Sequence, residues 1–167
     1  IEQLTEITDF LIKNKATRSH TIVAIGGGIT LDLVAFAASI YKRGMKIIFV
    51  PTTLVAMIDA SVGGKTGLNF KNVKNVLGTF YTADEVYTCP ELLLTISEED
   101  WKNGLAELIK ISLLSKTKLY DILINQSKEL SSINRSESIN CLKQKEILVQ
   151  AIKIKYDFCK GDLYDRK

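Results

Sequence analysis

The sequence predicts an α/β protein in which a parallel βαβ unit is followed by a region made only of helices. Three observations carry that expectation. Residues 21–25 and 46–50 are short apolar runs with β-branched residues, which read as buried parallel strands. Residues 29–41 between them are rich in alanine and apolar on most sides, as in a helix packed on a sheet. After Thr95 only helical periodicities remain. Parallel strands need a crossover, and a helix of this length supplies it.

In chain order, Leu4, Ile7, Phe10 and Leu11 give an amphipathic helix over 3–15. Gly26, Gly27 and Gly28 end the first strand, and Arg43 and Gly44 are expected to close the following helix with a cation and a cap glycine. Pro51 stops the second strand. From Asp59 to Phe80 the pattern loses periodicity and carries Gly63, Gly64, Gly67 and Gly78, so a long functional loop is expected. Val86 and Tyr87 read as a further short strand. Ser97, followed by Glu98, Glu99 and Asp100, signals a capped helix start. Leu105, Leu108, Ile109 and Leu113 form one apolar stripe, and Ile139, Leu142, Ile147, Leu148 and Ile152 another. A domain boundary is expected near 95–97, dividing 1–95 from 96–167.

Composition narrows the function classes. Of 167 residues 46% are apolar, enough to bury a core and to exclude disorder. A net charge of +3 is too small to argue for nucleic acid. Cys89, Cys141 and Cys159 lack a paired spacing and read as reduced thiols of a cytoplasmic protein. His20 is the single histidine, which excludes a histidine-built triad or zinc site within these residues. The longest uncharged apolar stretch, 47–58, is too short and too broken by Pro51 to span a bilayer. Ile1 opens the chain inside a helical pattern, and a piece of a larger protein is expected.

Several groups could carry chemistry. Three glycines between a strand and a helix let backbone N–H groups approach an anion such as a pyrophosphate; the alternative is a tight turn. Asp32 in the first turns of that helix either complements the dipole or meets a ribose or nearby backbone. Thr52 and Thr53 follow a strand's carboxyl end, where open α/β sheets bind ligands. Residues 59–67 resemble a phosphate loop but lack the first glycine of a Walker motif. Lys65, Lys74 and Asn75 can hold anions, whereas Lys71 reads as solvated. Glu107 and Lys110 lie on one helix face, as a site or as a surface ion pair. Arg135, Lys143 and Lys145 are assigned to solvent.

Taken together, AIGGGITLD, YKRG, VPTTL, DASVGGKTGLN, KNVLGTF and GLAELIK occur in the order and spacing of one family. The chain resembles the 3-dehydroquinate synthases, sugar-phosphate cyclases of the shikimate pathway, closely over about 17–118 and more weakly to the end. The resemblance implies a Rossmann-like N-terminal domain, a helical C-terminal domain, a homodimer, NAD, and a divalent metal, zinc or cobalt. It implies conversion of a small sugar-phosphate substrate, 3-deoxy-D-arabino-heptulosonate 7-phosphate, to 3-dehydroquinate and phosphate, with neither nucleic acid nor membrane as partner. Gly28, Ile29, Thr30, Leu31, Asp32, Thr52, Thr53, Lys65, Lys74, Leu92, Leu93, Leu94 and Thr95 match NAD-binding positions. Asp59, Lys65, Asn75, Lys110 and Lys155 match substrate-contacting positions, and Arg43 matches an arginine that reaches the phosphate site of the partner subunit. Glu107 matches a metal-ligand glutamate, whose companion histidines belong to a later motif, so these residues alone are expected to be inactive. Leu31 stands where the family has glycine, Asp100 where glutamate is common and Leu163 where an acidic residue is usual. Three other readings stay open: another sugar-phosphate cyclase, a related metal-dependent polyol or alcohol dehydrogenase, and a non-catalytic nucleotide-binding remnant.

Overall fold

The structure is a computed structural model that describes residues 1–71, 73–115 and 117–161; Leu163 lies outside the described residues. Helix α1 (Glu2–Lys13) leads into strand β1 (Thr21–Gly26), helix α2 (Gly28–Ile40) and strand β2 (Lys46–Pro51). β1 and β2 run parallel, from Thr21 opposite Lys46 to Gly26 opposite Pro51. The two-residue strand β5 (Glu85–Val86) adds to the far side of β2, giving the parallel order β1-β2-β5. The α/β class and the helical continuation are as the sequence predicts.

One face of this sheet is covered by α2. Ala24, Ile47 and Phe49 meet Leu31, Ala35, Ala38 and Ala56, and the alanines let helix and sheet approach closely. The opposite face departs from expectation. In β1 only Ala24 is buried, while Val23 and Ile25 are 54% and 63% exposed. A fully buried strand needs layers on both faces, and the described residues supply one. Arg43 and Gly44 also behave differently from a helix cap. α2 ends at Ile40, and a separate 3₁₀ turn, Tyr41–Arg43, is the element that Gly44 closes, with φ of 121°.

The expected loop over 59–80 is instead a π-helical turn, Ala56–Ala60, followed by a hairpin of β3 (Lys65–Phe70) and β4 (Val73–Phe80). Glycine misled the sequence reading here. Gly67 and Gly78 face each other across the ladder, where a Cβ on Gly78 would lie 2.0 Å from the Thr66 carbonyl oxygen. The glycines serve close backbone approach rather than loop freedom. A register irregularity between Leu68 and Phe70 then breaks the alternation that would have marked a strand.

The remaining chain forms α3 (Glu98–Ser115), α4 (Leu119–Asn125), α5 (Ser127–Leu130), α6 (Arg135–Gln144) and α7 (Ile147–Gly161). The predicted cap is present: the Ser97 hydroxyl accepts the Asp100 N–H at 3.0 Å and donates to the Asp100 carboxylate at 2.7 Å. The predicted stripe on α3 is rotated. Trp101, Gly104, Leu108, Ile111 and Ser112 are buried, whereas Ile109 and Leu113 face outward. Trp101 fixes that rotation by donating its indole N–H to the Leu130 carbonyl at 3.1 Å. Arg135 is likewise not a solvent cation: it lies over the Trp101 ring, 4.1 Å from the centroid, and pairs with Glu98 at 2.7 Å. The second predicted stripe is shared by two helices, α6 and α7, because the chain turns at Glu146 with φ of 52°.

The helical core takes in Leu54, Met57 and Ile58 from the segment after β2. The division proposed near 95 therefore separates secondary-structure textures while one hydrophobic cluster runs across it. None of the described helices is long and apolar enough to cross a membrane.

Gly104 is where α3 crosses Leu54, and a Cβ there would stand 2.4 Å from Leu54 Cβ. Gly104→Ala is expected to cost about 1–3 kcal/mol through overpacking, read as a lower denaturant midpoint with an unchanged slope.

Candidate functional site

β1 and β2 end level with one another, and the Thr52 N–H donates to the Gly26 carbonyl at 2.9 Å, tying the two strand ends together. α2 starts at this edge with Gly27 as its cap residue and no side-chain cap. Its first intrahelical bond is that of the Leu31 N–H to the Gly27 carbonyl, so the amides of Gly28, Ile29 and Thr30 lie ahead of it at the positive end of the helix. A Cβ on Gly27 would lie 3.2 Å from the Thr53 side chain, and one on Gly28 3.4 Å from Ala60. The glycines keep the turn slim between these neighbours, a fit to an anionic group such as a dinucleotide phosphate. The Thr53 hydroxyl accepts the Ala56 N–H at 3.2 Å and starts the π turn.

That turn delivers Asp59, and α7 delivers its partner: Lys155 Nζ lies 2.6 Å from Asp59 Oδ1, with both side chains partly buried. Burial is the largest influence on Lys155 and acts against its charge. The hydrogen bond and charge of Asp59, helped by Cys159 and Glu107, outweigh it, so Lys155 is held above the ordinary lysine range. Asp32 feels the same cluster in the opposite sense: burial first, and then the negative charge of Asp59, push its carboxyl up to about 6.

On the other side of α2, Asp32 shares a cleft of about 270 Å³ with Lys65, Thr66, Asn75, Thr79 and Phe80. Asn75 occupies the left-handed region, with φ of 52°, and its N–H is held by the Asn69 side chain at 2.9 Å. The sequence-predicted residues thus fall into two linked groups, Asp59 with Lys155 and Asp32 with Lys65 and Asn75. Glu107 and Lys110 form an ion pair on α3 at 2.6 Å, with Glu107 only 14% exposed. Its second oxygen, Oε1, is buried and has no hydrogen-bond partner among the described residues. An orphaned buried carboxylate oxygen fits a metal ligand, but among the described residues no group of three or more His, Cys, Asp or Glu could hold a metal ion.

Other expectations are placed differently. Leu31 is wholly buried in the core beneath the sheet, so its side chain faces away from the crevice. Leu92, Leu93, Leu94 and Thr95 form a 3₁₀ turn in which Leu93 is buried in the helical core and Leu94 is exposed. Lys74 is exposed on β4 beside Asn75. Arg43 stands at the start of β2, the opposite end of the sheet from Thr52 and Thr53, about 20 Å away by strand rise. Sequence reasoning missed Cys159, one turn beyond Lys155 and against Gly63, where a Cβ on the glycine would be 3.7 Å from the thiol. It also missed Thr66 and Thr79; nothing in a lone threonine signals a cleft wall.

Comparison with known proteins gives a consistent set of likenesses. The family described as 3-dehydroquinate synthase N-terminal matches residues 1–103. The 3-dehydroquinate synthase of Tropheryma whipplei (strain Twist) is 40% identical over 159 residues, covering 93% of this chain and 42% of that protein. The 2-epi-5-epi-valiolone synthase of Streptomyces hygroscopicus subsp. jinggangensis 5008, solved with NAD+ and Zn2+ bound, superposes with a TM-score of 0.89. Its identity is 32%, over 99% of this chain and 45% of that one. A 2-deoxy-scyllo-inosose synthase complexed with carbaglucose-6-phosphate, NAD+ and Co2+ gives a TM-score of 0.81 at 27% identity, over 99% of this chain and 44% of that one. The chain therefore spans somewhat under half the length of the relatives it matches.

The charge cluster makes a pH prediction. Asp32 has its folded pKa raised from 3.8 to about 6, so folding favours its neutral form and its ionisation opposes folding. That penalty is absent below the unfolded value, grows as the pH rises through the window and is complete above the folded value. Asp32→Asn is expected to raise the melting temperature at about pH 8 and to lose that advantage at about pH 4. Equal shifts at both pH values in thermal melts would contradict the assignment.

Proposed function

The chain belongs to the 3-dehydroquinate synthase family, and on that premise we propose that it forms part of an NAD- and metal-dependent sugar-phosphate cyclase. The finer reading is conversion of 3-deoxy-D-arabino-heptulosonate 7-phosphate to 3-dehydroquinate and inorganic phosphate. The observation that supports it is the Asp59–Lys155 pair near the carboxyl ends of β1 and β2, beside an uncapped helix start and linked through Asp32 to the cleft of Lys65 and Asn75.

In this reading Gly28, Ile29, Thr30 and the Leu31 backbone, with Asp32, Thr52, Thr53, Lys65, Lys74 and the turn at Leu92, Leu93, Leu94 and Thr95, hold NAD. Glu107 offers its orphaned oxygen as one ligand to zinc or cobalt. The chemistry that a bound nicotinamide and a divalent cation supply is reversible hydride transfer and Lewis-acid polarisation of a hydroxyl. The chain's own residues orient the substrate and neutralise its charge. Lys155 holds the Asp59 carboxylate in place to accept a ring hydroxyl's hydrogen bond. Lys65 and Lys110 are compact cations suited to a phosphate, a carboxylate and the charge that develops as phosphate departs. Asn75, fixed by Asn69, presents an amide to the same cleft. Arg43, remote from this cluster, is read as serving the site of a second subunit in a cytoplasmic homodimer.

A neighbouring reading, a cyclase acting on a different sugar phosphate, draws support from the close superposition on the valiolone synthase. Asp59, Lys65 and Asn75 would serve either substrate. The full-length protein supplied with the heptulosonate phosphate is expected to release inorganic phosphate with no net NADH. NADH accumulating in step with substrate loss would indicate a dehydrogenase, and turnover of another sugar phosphate alone would indicate the neighbouring cyclase.

Lys65→Ala is expected to lower kcat by about a hundredfold or more, while the melting profile stays native. Near-normal activity would make Lys65 a bystander.

A further inference from the structure

The β3–β4 hairpin is a two-stranded sheet of its own, unconnected to the parallel sheet by any described ladder. A lone hairpin is marginal in water, so what docks it determines where its side chains stand. β3 packs on α2 with Thr66, Gly67 and Leu68 buried, and three hydroxyls add a hydrogen-bonded link. Thr66 Oγ1 lies 2.8 Å from the Thr79 carbonyl and 2.9 Å from Thr79 Oγ1. The Thr79 hydroxyl donates to Ser39 Oγ on α2 at 2.8 Å, and the Ser39 hydroxyl donates to the Phe36 carbonyl at 2.8 Å. Each hydroxyl has one proton, so the chain has one direction: Thr66 gives to Thr79, Thr79 to Ser39, and Ser39 to the helix backbone. Thr66 is buried and Ser39 and Thr79 are half-buried, which makes these bonds stronger than exposed ones.

The join lies within the cleft already described. Ser39 follows Asp32 by two helical turns, on the same face of α2. Thr66 and Thr79 are cross-strand partners, immediately beside the pair Lys65 and Phe80. The cleft is walled by Asp32 on the helix side and by Lys65, Thr66, Asn75 and Thr79 on the hairpin side. We infer that Thr79 is a positioning residue, whose hydroxyl clamps the hairpin to Ser39 of α2 and so sets the span between Asp32 and the pair Lys65 and Asn75. This rests on the cyclase reading for what occupies the cleft, and on the hydrogen-bond chain for the clamp itself.

Removing the Thr79 hydroxyl leaves no donor stranded. Ser39 still donates to Phe36, and Thr66 to the Thr79 carbonyl. Thr79→Val keeps the shape of the side chain, so the fold is expected to survive while the clamp is lost. In the full-length enzyme, Thr79→Val and Ser39→Ala are each expected to raise KM for the sugar phosphate and to lower kcat/KM about tenfold or more. Thr79→Ser, which keeps the hydroxyl, is expected to restore both. A merely structural role would instead reduce the folded fraction, lowering apparent kcat with KM unchanged, and that outcome overturns the inference. If the wild-type enzyme does not turn over the sugar phosphate, the cyclase reading fails by itself, and amide hydrogen exchange over 65–80 decides the clamp. Faster exchange in Thr79→Val but not in Thr79→Ser supports it; equal rates in the two variants overturn it.

Discussion

The close crossing of α3 over Leu54 holds the two halves of this structure in register. Leu54 directly follows Thr52 and Thr53, and it is wholly buried in the cluster that also contains Trp101, Leu108, Ile111 and Leu142. Because Gly104 has no Cβ, α3 can lie against it, and Glu107 and Lys110 are carried on the same helix. Met57 and Ile58 extend the contact and lead to Asp59, which α7 meets with Lys155. Charged groups from the βαβ unit and from the helices are thus brought together by apolar packing beneath them. The ion pair gains from a geometry that the core has already imposed.

The site's electrostatics follow from that geometry. Asp32 and Asp59 repel at the end of the sheet, and Lys155 stands at hydrogen-bond distance from Asp59. Burial and the neighbouring carboxylate therefore drive Asp32 toward its neutral form, while Lys155 pairs with Asp59. On the far side of α2 the hairpin depends on polar links and on Leu68 rather than on a shared sheet. A layered core beneath the strand ends is thus joined to a hairpin that docks separately.

Much of this was legible from residues alone. Apolar runs interrupted by Gly26 and Pro51, with an alanine-rich helix between them, indicated the parallel βαβ unit, although β1 buries only Ala24. The Ser97 cap followed from local hydrogen-bonding chemistry. Six motifs in register marked the family and contain Asp59, Lys65, Asn75 and Glu107, whereas Lys155 was matched only in the weaker resemblance beyond them. What failed in the sequence failed for identifiable reasons. Gly67 and Gly78 looked like loop residues because a sequence does not show a facing backbone 2.0 Å from a missing Cβ. The α3 stripe was misassigned because 105–108–109–113 and 101–104–108–111 are both acceptable helical periods, and the Trp101 bond to Leu130 chose between them. Local propensity and pattern thus determined which elements form and which residue types the site offers. Only tertiary packing decided which face each element turns inward, that Lys155 reaches Asp59 across about 100 residues of chain, and that Thr79 binds Ser39, because such contacts depend on the rotation and approach of whole elements, which no single segment encodes.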